Sequence, residues 1–274
     1  MRTADTHLNL LRQQVRAAPA APGVYTFYGE RQDLPLYIGK SVNLRSRLLS
    51  HLRDPGEARM LAQARRIHCV RTAGEIGALL LEARMVKQKL PLFNQKLRRN
   101  RALCSLRWTG EQPEVVDTRS VDFAREDHLY GIFATRQSAV QKLRDLADEH
   151  RLCWGLLGLE KLVPGRPCFR SMIGRCAGAC KGSQGRDEHR RKLLAALEHM
   201  QLRCWPYEGA VGLMESGGDL EQIHVVRNWC YLGSAASLDE ARELSRVAAG
   251  FDADGYKILV GPILSGSARV VEIS

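Results

Sequence analysis

The stretch PLYIGKSVNLRSR, at residues 35–47, places a tyrosine and several cations around one short connection. Tyr37 lies in an apolar run that suits a strand and ends at Gly39. Lys40 and Arg47 follow in a segment that suits a helix. Gly39 would let the chain turn, and its missing side chain would let a phosphate or another backbone approach closely. The corner could therefore receive either a phosphate group or another segment of main chain.

The helix predicted after Gly39 covers residues 41–52 and turns leucines at four-residue spacing toward the core. Asn43, Arg47 and His51 share that spacing, so they form a second stripe beside the leucines. Arg47 is therefore expected at the edge of the core, near the strand that carries Tyr37.

Glu82 is a carboxylate on the apolar face of a helix predicted over 73–89. Its helical neighbours at three and four positions are apolar: Ala78, Leu79, Met85 and Val86. Burying an ionised carboxylate is costly unless a cation meets it. That cation is either an arginine in a buried ion pair or a bound metal ion, and the helix alone does not favour one over the other.

These residues need a scaffold, and the segment 21–97 alternates strand and helix signals. Three β-rich runs predict an antiparallel three-stranded sheet that begins with a hairpin, at residues 23–28, 34–39 and 67–72. Flanking helices are predicted over 41–52, 58–66 and 73–89. The predicted fold class is α/β (α+β).

Residues 23–94 resemble the GIY-YIG nuclease domain. The chain has GVY at 23–25 where that family has GIY, and it has YIG at 37–39. A helix arginine, a helix glutamate and a closing asparagine follow in the family's order, as Arg47, Glu82 and Asn94. A lone YIG is weak evidence, but all these elements in order make the resemblance specific. It implies hydrolysis of a phosphodiester.

The resemblance implies a role for each residue. Tyr37 would be the general base, Arg47 would stabilise charge on the phosphate, and Glu82 would hold one Mg²⁺ or Mn²⁺. Tyrosine has a reference pKa of about 10, so a base role requires nearby positive charge to favour the phenolate. Lys40 and the metal ion are the expected sources of that charge.

Three further residues complete the expected site. Tyr25 would orient the water or the phosphate, and the alternative interpretation is a half-buried sheet aromatic. Asn94 would brace the site. His51 stands where UvrC-type members of the family commonly carry a tyrosine. A histidine can form a hydrogen bond to phosphate or titrate near neutral pH, so the pH dependence of the family cannot be carried over.

The chain is basic, with 41 Lys or Arg against 30 Asp or Glu and a formal charge of +11. That excess points to a polyanion, nucleic acid before membrane. Residues 83–108 contain eight Lys or Arg and no acidic residue. The run either tracks a DNA backbone or is a solvated linker. The candidate DNA-binding residues are Lys87, Lys89, Lys96, Arg98, Arg99 and Arg101.

The eight cysteines are expected in a reducing, cytoplasmic setting, because the sequence has neither a signal-peptide pattern nor an apolar run of 18 residues. Four of them could enclose one metal ion or one cluster: Cys153, Cys168, Cys176 and Cys180. The segment CFRSMIGRCAGACKG, at 168–182, resembles the cysteine-rich segment of UvrC-type nucleases. That resemblance favours a [4Fe–4S] cluster over Zn²⁺, and buried cysteines without a metal are the third alternative. Cys69, Cys104, Cys204 and Cys230 are interpreted as small core residues.

Three domains are predicted: a nuclease domain at 1–100, a cysteine-rich middle domain at 101–205 and a small α/β domain at 206–274. The middle domain should contain a strand over 129–135 and helices over 138–150 and 186–200. The last domain shows no chemical motif, so a docking or scaffold role is expected. Its predicted strands cover 208–216, 220–233, 256–264 and 268–274.

The length and the cysteine segment resemble the short stand-alone homologues of UvrC. Those proteins incise damaged double-stranded DNA on the 3′ side of a lesion, in a complex with UvrB that UvrA loads. The sequence has no second nuclease domain, which implies a single cut, and no evident UvrB-binding motif. One alternative is a GIY-YIG nuclease that cuts undamaged DNA without partners. The other, a non-catalytic DNA-binding adaptor, is disfavoured because Tyr37, Arg47 and Glu82 are all present.

Overall fold

The first three strands build the predicted antiparallel sheet in the computed structural model, which describes residues 2–31, 34–94 and 102–273. They are β1 (Gly23–Tyr28), β2 (Pro35–Ser41) and β3 (Arg66–Arg71), in the order β2-β1-β3. Every residue of β1 is buried because this strand lies in the middle of the sheet and both of its faces are covered. The predicted hairpin between the first two strands is confirmed.

Helices cover both faces of this sheet. They are α1 (Arg2–Ala17), α2 (Leu44–Arg53), α3 (Ala58–Gln63) and α4 (Glu75–Lys89). The first three pack with Tyr25 and Phe27 on one face, whereas α4 packs against Val24 and Ile38 on the other. α1 was not predicted, although buried Leu11 and Val15 stand at helical spacing.

α2 begins three residues later than the sequence suggested, because Asn43 caps it from outside. The side-chain oxygen of Asn43 accepts a hydrogen bond from the main-chain N–H of Ser46 at 3.0 Å. An asparagine in this position satisfies one of the amides that the first turn of a helix leaves unpaired. The predicted stripe therefore keeps Arg47 and His51 but loses Asn43 to the cap.

The middle segment has its own antiparallel sheet, in the order β5-β4-β6. Its strands are β4 (Cys104–Trp108), β5 (Pro113–Asp117) and β6 (Leu129–Phe133). Its helices are α5 (Arg136–Glu149), α6 (Phe169–Met172) and α7 (Arg186–Glu198), with a 3₁₀ turn at Ala179–Lys181. The predicted strand and both long helices are present, and β4 and β5 are additional.

The C-terminal segment forms a four-stranded antiparallel sheet in the order β10-β7-β8-β9. Its strands are β7 (Val211–Gly217), β8 (Leu220–Arg227), β9 (Cys230–Ala235) and β10 (Arg269–Glu272), and its helices are α8 (Leu238–Ser245) and α9 (Ala253–Leu264). The strand predicted over 220–233 is two strands, because Asn228 and Trp229 adopt positive φ angles of 52° and 64° and turn the chain.

The prediction of a strand over 256–264 was wrong, since these residues belong to α9. The side chain of Asp252 caps this helix by accepting from the main-chain N–H of Asp254. Gly255, Leu259 and Ile263 are buried at four-residue spacing, which is the helical period. A short apolar run fits a buried strand and a buried helix equally well by composition, so only this spacing separates the two.

The chain divides into two compact units, one made of 1–100 with 205–274 and the other of 101–204. The C-terminal segment thus shares a unit with the first sheet. No helix in the described part of the chain is both long and apolar enough to cross a membrane.

Candidate active site

Two tyrosines meet above Gly39. In the antiparallel pairing of β1 with β2, Tyr25 stands opposite Gly39, and the neighbouring Tyr37 ring lies 6.1 Å from the Tyr25 ring, centroid to centroid. A Cβ atom at Gly39 would lie 2.6 Å from the Cζ atom of Tyr25 and 2.9 Å from the Cε1 atom of Tyr37. Glycine is therefore required here because the two phenol rings occupy the space of a side chain.

His51 holds the hydroxyl group of Tyr25. The Oη atom of Tyr25 lies 2.6 Å from Nε2 of His51, and both side chains are almost fully buried. Nδ1 of His51 lies 3.4 Å from a carboxylate oxygen of Glu57. Burial lowers the pKa of His51 to about 4, and the charge of Arg47 contributes to the same shift. His51 is therefore neutral near pH 7, with Nδ1–H facing Glu57 and Nε2 accepting from Tyr25.

Arg47 is the cation beside the two tyrosines. It projects from α2 and is exposed, and its charge lowers the pKa of Tyr25 and of Tyr37. Burial outweighs that effect, so the pKa of both phenols is raised, and the charge of Glu82 raises the pKa of Tyr37 further. We call Tyr25, Tyr37, Arg47 and His51 the tyrosine cluster.

Glu82 reaches the edge of β2 from α4. One of its carboxylate oxygens accepts a hydrogen bond from the main-chain N–H of Lys40 at 3.2 Å. Burial raises the pKa of this half-buried carboxyl group, and the Lys40 main chain and side-chain charge lower it. The Lys40 ammonium itself lies 2.7 Å from a carboxylate oxygen of Glu75. Lys40 was expected to supply positive charge near Tyr37, but its ammonium pairs with Glu75 on α4. The positive charge that lowers the pKa of Tyr37 comes from Arg47.

Asn94 holds the same edge of β2 by both ends of its amide. Its oxygen accepts from the main-chain N–H of Ile38 at 2.9 Å, and its nitrogen donates to the main-chain oxygen of Ile38 at 2.8 Å. Main-chain groups of Ile38 and Lys40 point to one edge because they stand two residues apart in a strand. The edge of β2 is therefore occupied by Asn94 and Glu82, which brings both residues to the strand of Tyr37.

The predicted DNA-binding residues divide into three groups. The Lys87 ammonium contacts Asp252 and lies 2.8 Å from a carboxylate oxygen of Asp254, so its charge is already paired. Lys89 is exposed and lies 3.2 Å from the hydroxyl group of Tyr28. Four others lie outside the described residues: Lys96, Arg98, Arg99 and Arg101.

The four predicted cysteines come together in the middle segment. The Sγ atom of Cys168 lies 3.6 Å from that of Cys153 and 3.8 Å from that of Cys176, and these three atoms all lie within 4.8 Å of one another. Cys180 joins them through its sulfur, which accepts from the main-chain N–H of Cys168 at 3.3 Å. This set of thiols can hold a metal ion.

The sulfur spacing can be compared with the two candidate metals. A tetrahedral zinc site with Zn–S bonds of about 2.3 Å separates its sulfurs by about 3.8 Å. A [4Fe–4S] cluster spaces its thiolates more widely, because each thiolate binds a different iron. The observed distances of 3.6 and 3.8 Å fit a single tetrahedral ion, and a cluster would require the thiols to move apart.

Burial raises the pKa of the Cys153 and Cys176 thiols. It disfavours a thiolate at Cys168 as well, but hydrogen bonds from the main chain of Ser171 and from the neighbouring thiols outweigh burial and lower the pKa of Cys168.

Two residues at these sites were missed from the sequence. Glu57 contacts His51, and His189 accepts a hydrogen bond from the main-chain N–H of Cys153 at 3.0 Å. His189 is buried although α7 is strongly charged, and a histidine among the leucines of its apolar face was the available signal. Glu57 belongs to a 3₁₀ turn and carried no such signal.

Comparisons with known proteins match the chain in three consecutive parts. Residues 21–95 match the UvrC-like GIY-YIG domain, 103–199 the middle domain of the UvrC/Cho excinucleases, and 210–274 the C-terminal domain of excinuclease Cho. The solved GIY-YIG N-terminal endonuclease domain of UvrC from Thermotoga maritima, bound to magnesium, is 32% identical, with a TM-score of 0.29, and the match covers 31% of this chain and 94% of that one.

Relatives extend the match to nearly the whole chain. Excinuclease Cho of Salmonella typhimurium is 56% identical over 96% of this chain and 90% of its own length, and that of Escherichia coli K12 is 54% identical over 96% and 89%. The UvrABC system protein C of Nitrobacter hamburgensis is 35% identical over 63% of this chain and 25% of its own. The chain therefore belongs to the UvrC/Cho excinuclease family, and it is an endonuclease with a GIY-YIG domain.

Proposed function

We propose that the chain is a DNA-repair endonuclease of nucleotide excision repair, which hydrolyses one phosphodiester on the 3′ side of a lesion in duplex DNA prepared by UvrA and UvrB. The observation that carries this proposal is the tyrosine cluster beside the carboxylate of Glu82, in a chain of the excinuclease family. The cluster offers an acid–base group and a cation, and Glu82 offers a metal ligand.

Tyr37 acts as the general base in this proposal. Tyr37 reacts as the phenolate. Water attacks phosphorus, the phenolate oxygen takes the proton of the water, the bond from phosphorus to the leaving oxygen breaks, and the leaving oxygen takes up a proton from solvent. Burial and the charge of Glu82 raise the pKa of Tyr37 overall, whereas the charge of Arg47 lowers it, in the direction that a base role needs. A cation held by Glu82 would lower it further. The same guanidinium is exposed beside the tyrosines, where it can meet a phosphate oxygen.

Glu82 holds Mg²⁺ or Mn²⁺. The carboxylate suits a hard cation, and burial, which raises its pKa, makes an uncompensated charge at this position costly. When bound, the cation supplies positive charge for the scissile phosphate and the leaving oxygen. Lys40 contributes its main-chain N–H to Glu82, which orients one carboxylate oxygen.

Tyr25, His51 and Asn94 keep the reacting groups in place. Because His51 accepts from Tyr25, the hydroxyl oxygen of Tyr25 faces the cluster as an acceptor, where it can orient the water or the phosphate. Asn94 fixes the main chain of Ile38, directly after Tyr37. Lys89, exposed at the end of α4, would contact the DNA backbone. Lys96, Arg98, Arg99 and Arg101 follow it in the sequence and would extend that contact.

We infer three domains, with boundaries near residues 100 and 205, and one metal centre in the middle domain. Cys153, Cys168, Cys176 and Cys180 hold that metal in a structural role, because strand cleavage requires no electron. Anaerobic purification, metal analysis and a visible spectrum identify it. One zinc per chain without absorbance near about 400 nm assigns Zn²⁺, whereas iron with that absorbance assigns the [4Fe–4S] cluster.

One assay tests the function. A duplex with a single lesion, labelled at either end, is incubated with the chain and Mg²⁺, with and without UvrA, UvrB and ATP, and the nick is mapped. We expect one nick on the 3′ side of the lesion, only with both partners. Nicks in undamaged duplex without partners would indicate a partner-independent nuclease, and binding without any nick would indicate an adaptor.

Two variants test the residues in the same assay. Tyr37→Phe removes only the hydroxyl group, and we expect incision to slow by about 10²–10⁴-fold, the usual contribution of general base catalysis. Glu82→Gln keeps the shape of the side chain but is a poorer ligand for a hard cation, and we expect no metal-dependent incision. Binding of lesion DNA should persist in both variants. Wild-type rates in Tyr37→Phe would move the base role to another residue, first to His51.

A further inference from the structure

The helix that carries Glu82 has no cap of its own at its N-terminus. Gly74 is the N-cap of α4 and makes no side-chain cap hydrogen bond. Instead, the Glu215 carboxylate on β7 accepts from the main-chain N–H groups of Ile76 and Gly77, each at 2.9 Å. A carboxylate in this position satisfies two amides that a helix leaves unpaired and interacts favourably with the helix dipole.

Two glycines at the start of α4 make room for this contact, Gly74 at the N-cap and Gly77 in the first turn. A Cβ atom at Gly74 would lie 2.3 Å from the carboxyl carbon of Glu215, and one at Gly77 would lie 2.5 Å from the Cε1 atom of His224. Glycine within a helix is less favourable than alanine by up to about 1 kcal/mol. Gly77, within the first turn of α4, carries this cost, and its missing side chain leaves the space that the His224 ring occupies.

Buried partners hold the carboxylate of Glu215. Nε2 of the fully buried His224 lies 2.9 Å from Glu215, and Nδ1 of the same ring lies 2.7 Å from the hydroxyl oxygen of Ser234. Burial alone would raise the pKa of Glu215, but the hydrogen bonds from His224 and the two amides outweigh it, so the pKa is lowered. Glu215 is therefore held as a carboxylate.

The contact continues along the whole helix. Two helical turns after Gly77, the guanidinium of Arg84 donates to the main-chain oxygen of Leu232 at 2.7 Å. Near the end of α4, the Lys87 ammonium lies between Asp252 and Asp254. We call these contacts of Glu215, His224, Leu232, Asp252 and Asp254 with α4 the α4 clamp.

The opposite face of α4 meets the active-site strand. Glu75 and Glu82 stand seven residues apart, about two helical turns, and both contact Lys40 on β2. Gly77 and Arg84 have the same spacing and face the C-terminal sheet. α4 is thus packed between two sheets, and its position along and around its own axis decides where Glu82 lies.

We propose that the C-terminal segment is a positioning device for the metal site. By fixing α4 from its first turn to its last, the α4 clamp sets the position of the Glu82 carboxylate against the main chain of Lys40. This inference rests on the proposed role of Glu82 as metal ligand. It assigns Glu215 as a positioning residue, whose loss weakens metal binding without removing a ligand.

The test uses the full chain and Mn²⁺ as the probe, with free Mn²⁺ measured by electron paramagnetic resonance. Glu215→Gln loses the charge and turns an amide N–H toward one of the two helix amides. We expect it to weaken Mn²⁺ binding by about tenfold and to speed hydrogen exchange at Ile76 and Gly77. The matched control is Glu221→Gln, the same substitution at an exposed position of β8, which should bind Mn²⁺ like the wild type.

Two reference variants separate the possible failures. If Glu82→Gln abolishes Mn²⁺ binding and Glu215→Gln binds like the wild type, the positioning role is overturned while the proposed metal site stands. If Glu82→Gln binds Mn²⁺ normally, the metal site itself is wrong and the inference falls with it. Should Glu215→Gln not fold, Arg84→Met removes the bond to Leu232 and the contact of the guanidinium with the Tyr231 ring, and it keeps the side-chain stem. A severalfold weaker Mn²⁺ affinity in Arg84→Met supports the inference, and an unchanged affinity overturns it.

Discussion

The tyrosine cluster and the α4 clamp hold the two parts of the candidate active site by different kinds of contact. The cluster joins residues 26 positions apart, such as Tyr25 and His51, through a buried hydrogen bond between neutral groups. The clamp joins residues 139 positions apart, such as Ile76 and Glu215, and depends on charge. Buried neutral contacts are insensitive to salt, whereas partly exposed charged contacts are weakened by it. Salt should therefore weaken the clamp and leave the hydrogen bond between Tyr25 and His51 unchanged.

The largest expected effect is a change of shape in the cluster. Gly39→Ala places a methyl group where the Tyr25 and Tyr37 rings lie, so the rings must move. A displacement of reacting groups by about 1 Å can cost about 10²-fold in rate, and we expect at least that loss of incision. The control is Gly29→Ala beside the same sheet, where a Cβ atom meets its neighbours at an ordinary 3.5 Å. Equal incision rates in the two variants would show that the rings need not lie above residue 39.

Much of the tyrosine cluster could be predicted from the sequence, because its positions follow from local periods. A strand places Tyr37 and Gly39 on known faces, and a helix places Arg47 and His51 on one stripe. The hairpin then fixes the register that sets Tyr25 over Gly39. The order of the motif elements supplied Glu82 and Asn94, although their meeting at the edge of β2 is visible only in the structure.

The α4 clamp could not be predicted in this way. Glu215 stands in a strand with no chemical motif. It binds main-chain amides, and because every residue except proline has such an amide, the sequence does not show which amides it binds. Gly74 and Gly77 were the only local signs, since two glycines at the start of a strong helix need a reason. The wrong prediction of a strand over 256–264 had a related cause. In a short apolar run most residues could be buried, so the helical spacing of the residues that are buried becomes evident only in the structure.

Acid should destabilise the cluster through His51. Its pKa is about 4 in the folded chain against an ordinary value of 6.5, so the unfolded chain binds a proton first as the pH falls. The stability from neutral His51 is fully present above about pH 6.5 and is lost between pH 6.5 and 4, a change of about 3 kcal/mol. Urea unfolding at several pH values should show this component in the wild type and not in His51→Gln.

The exposed His68 on β3 offers the control for that measurement. His68→Gln makes the same substitution at an exposed position, so it shows what replacing a histidine by glutamine does without removing a buried contact. If His51→Gln lost as much stability as the wild type between pH 6.5 and 4, the buried neutral state of His51 would be refuted.

A smaller effect is expected where the clamp touches the helix. Alanine normally stabilises a helix relative to glycine by up to about 1 kcal/mol, but at Gly77 its methyl group would meet the His224 ring. We expect Gly77→Ala to lower the free energy of unfolding by about 1–3 kcal/mol in the wild type. In a His224→Ala background the same change should be neutral or stabilising. Additive effects in this double-mutant cycle would place the His224 ring away from α4.

The smallest effect separates two lysines at the end of α4. Lys87 is paired with Asp252 and Asp254 in the clamp, whereas Lys89 is exposed. Each phosphate contact contributes about −0.9 to the slope of log affinity for DNA against log salt concentration. Lys89→Met should therefore flatten that slope by about one, measured by fluorescence anisotropy over a range of KCl concentrations. Lys87→Met should leave the slope unchanged and lower the free energy of unfolding more than Lys89→Met does, because it leaves two aspartates without their cation. A flatter slope in Lys87→Met would mean that this lysine leaves the clamp to bind DNA, and the two regions would then share a residue.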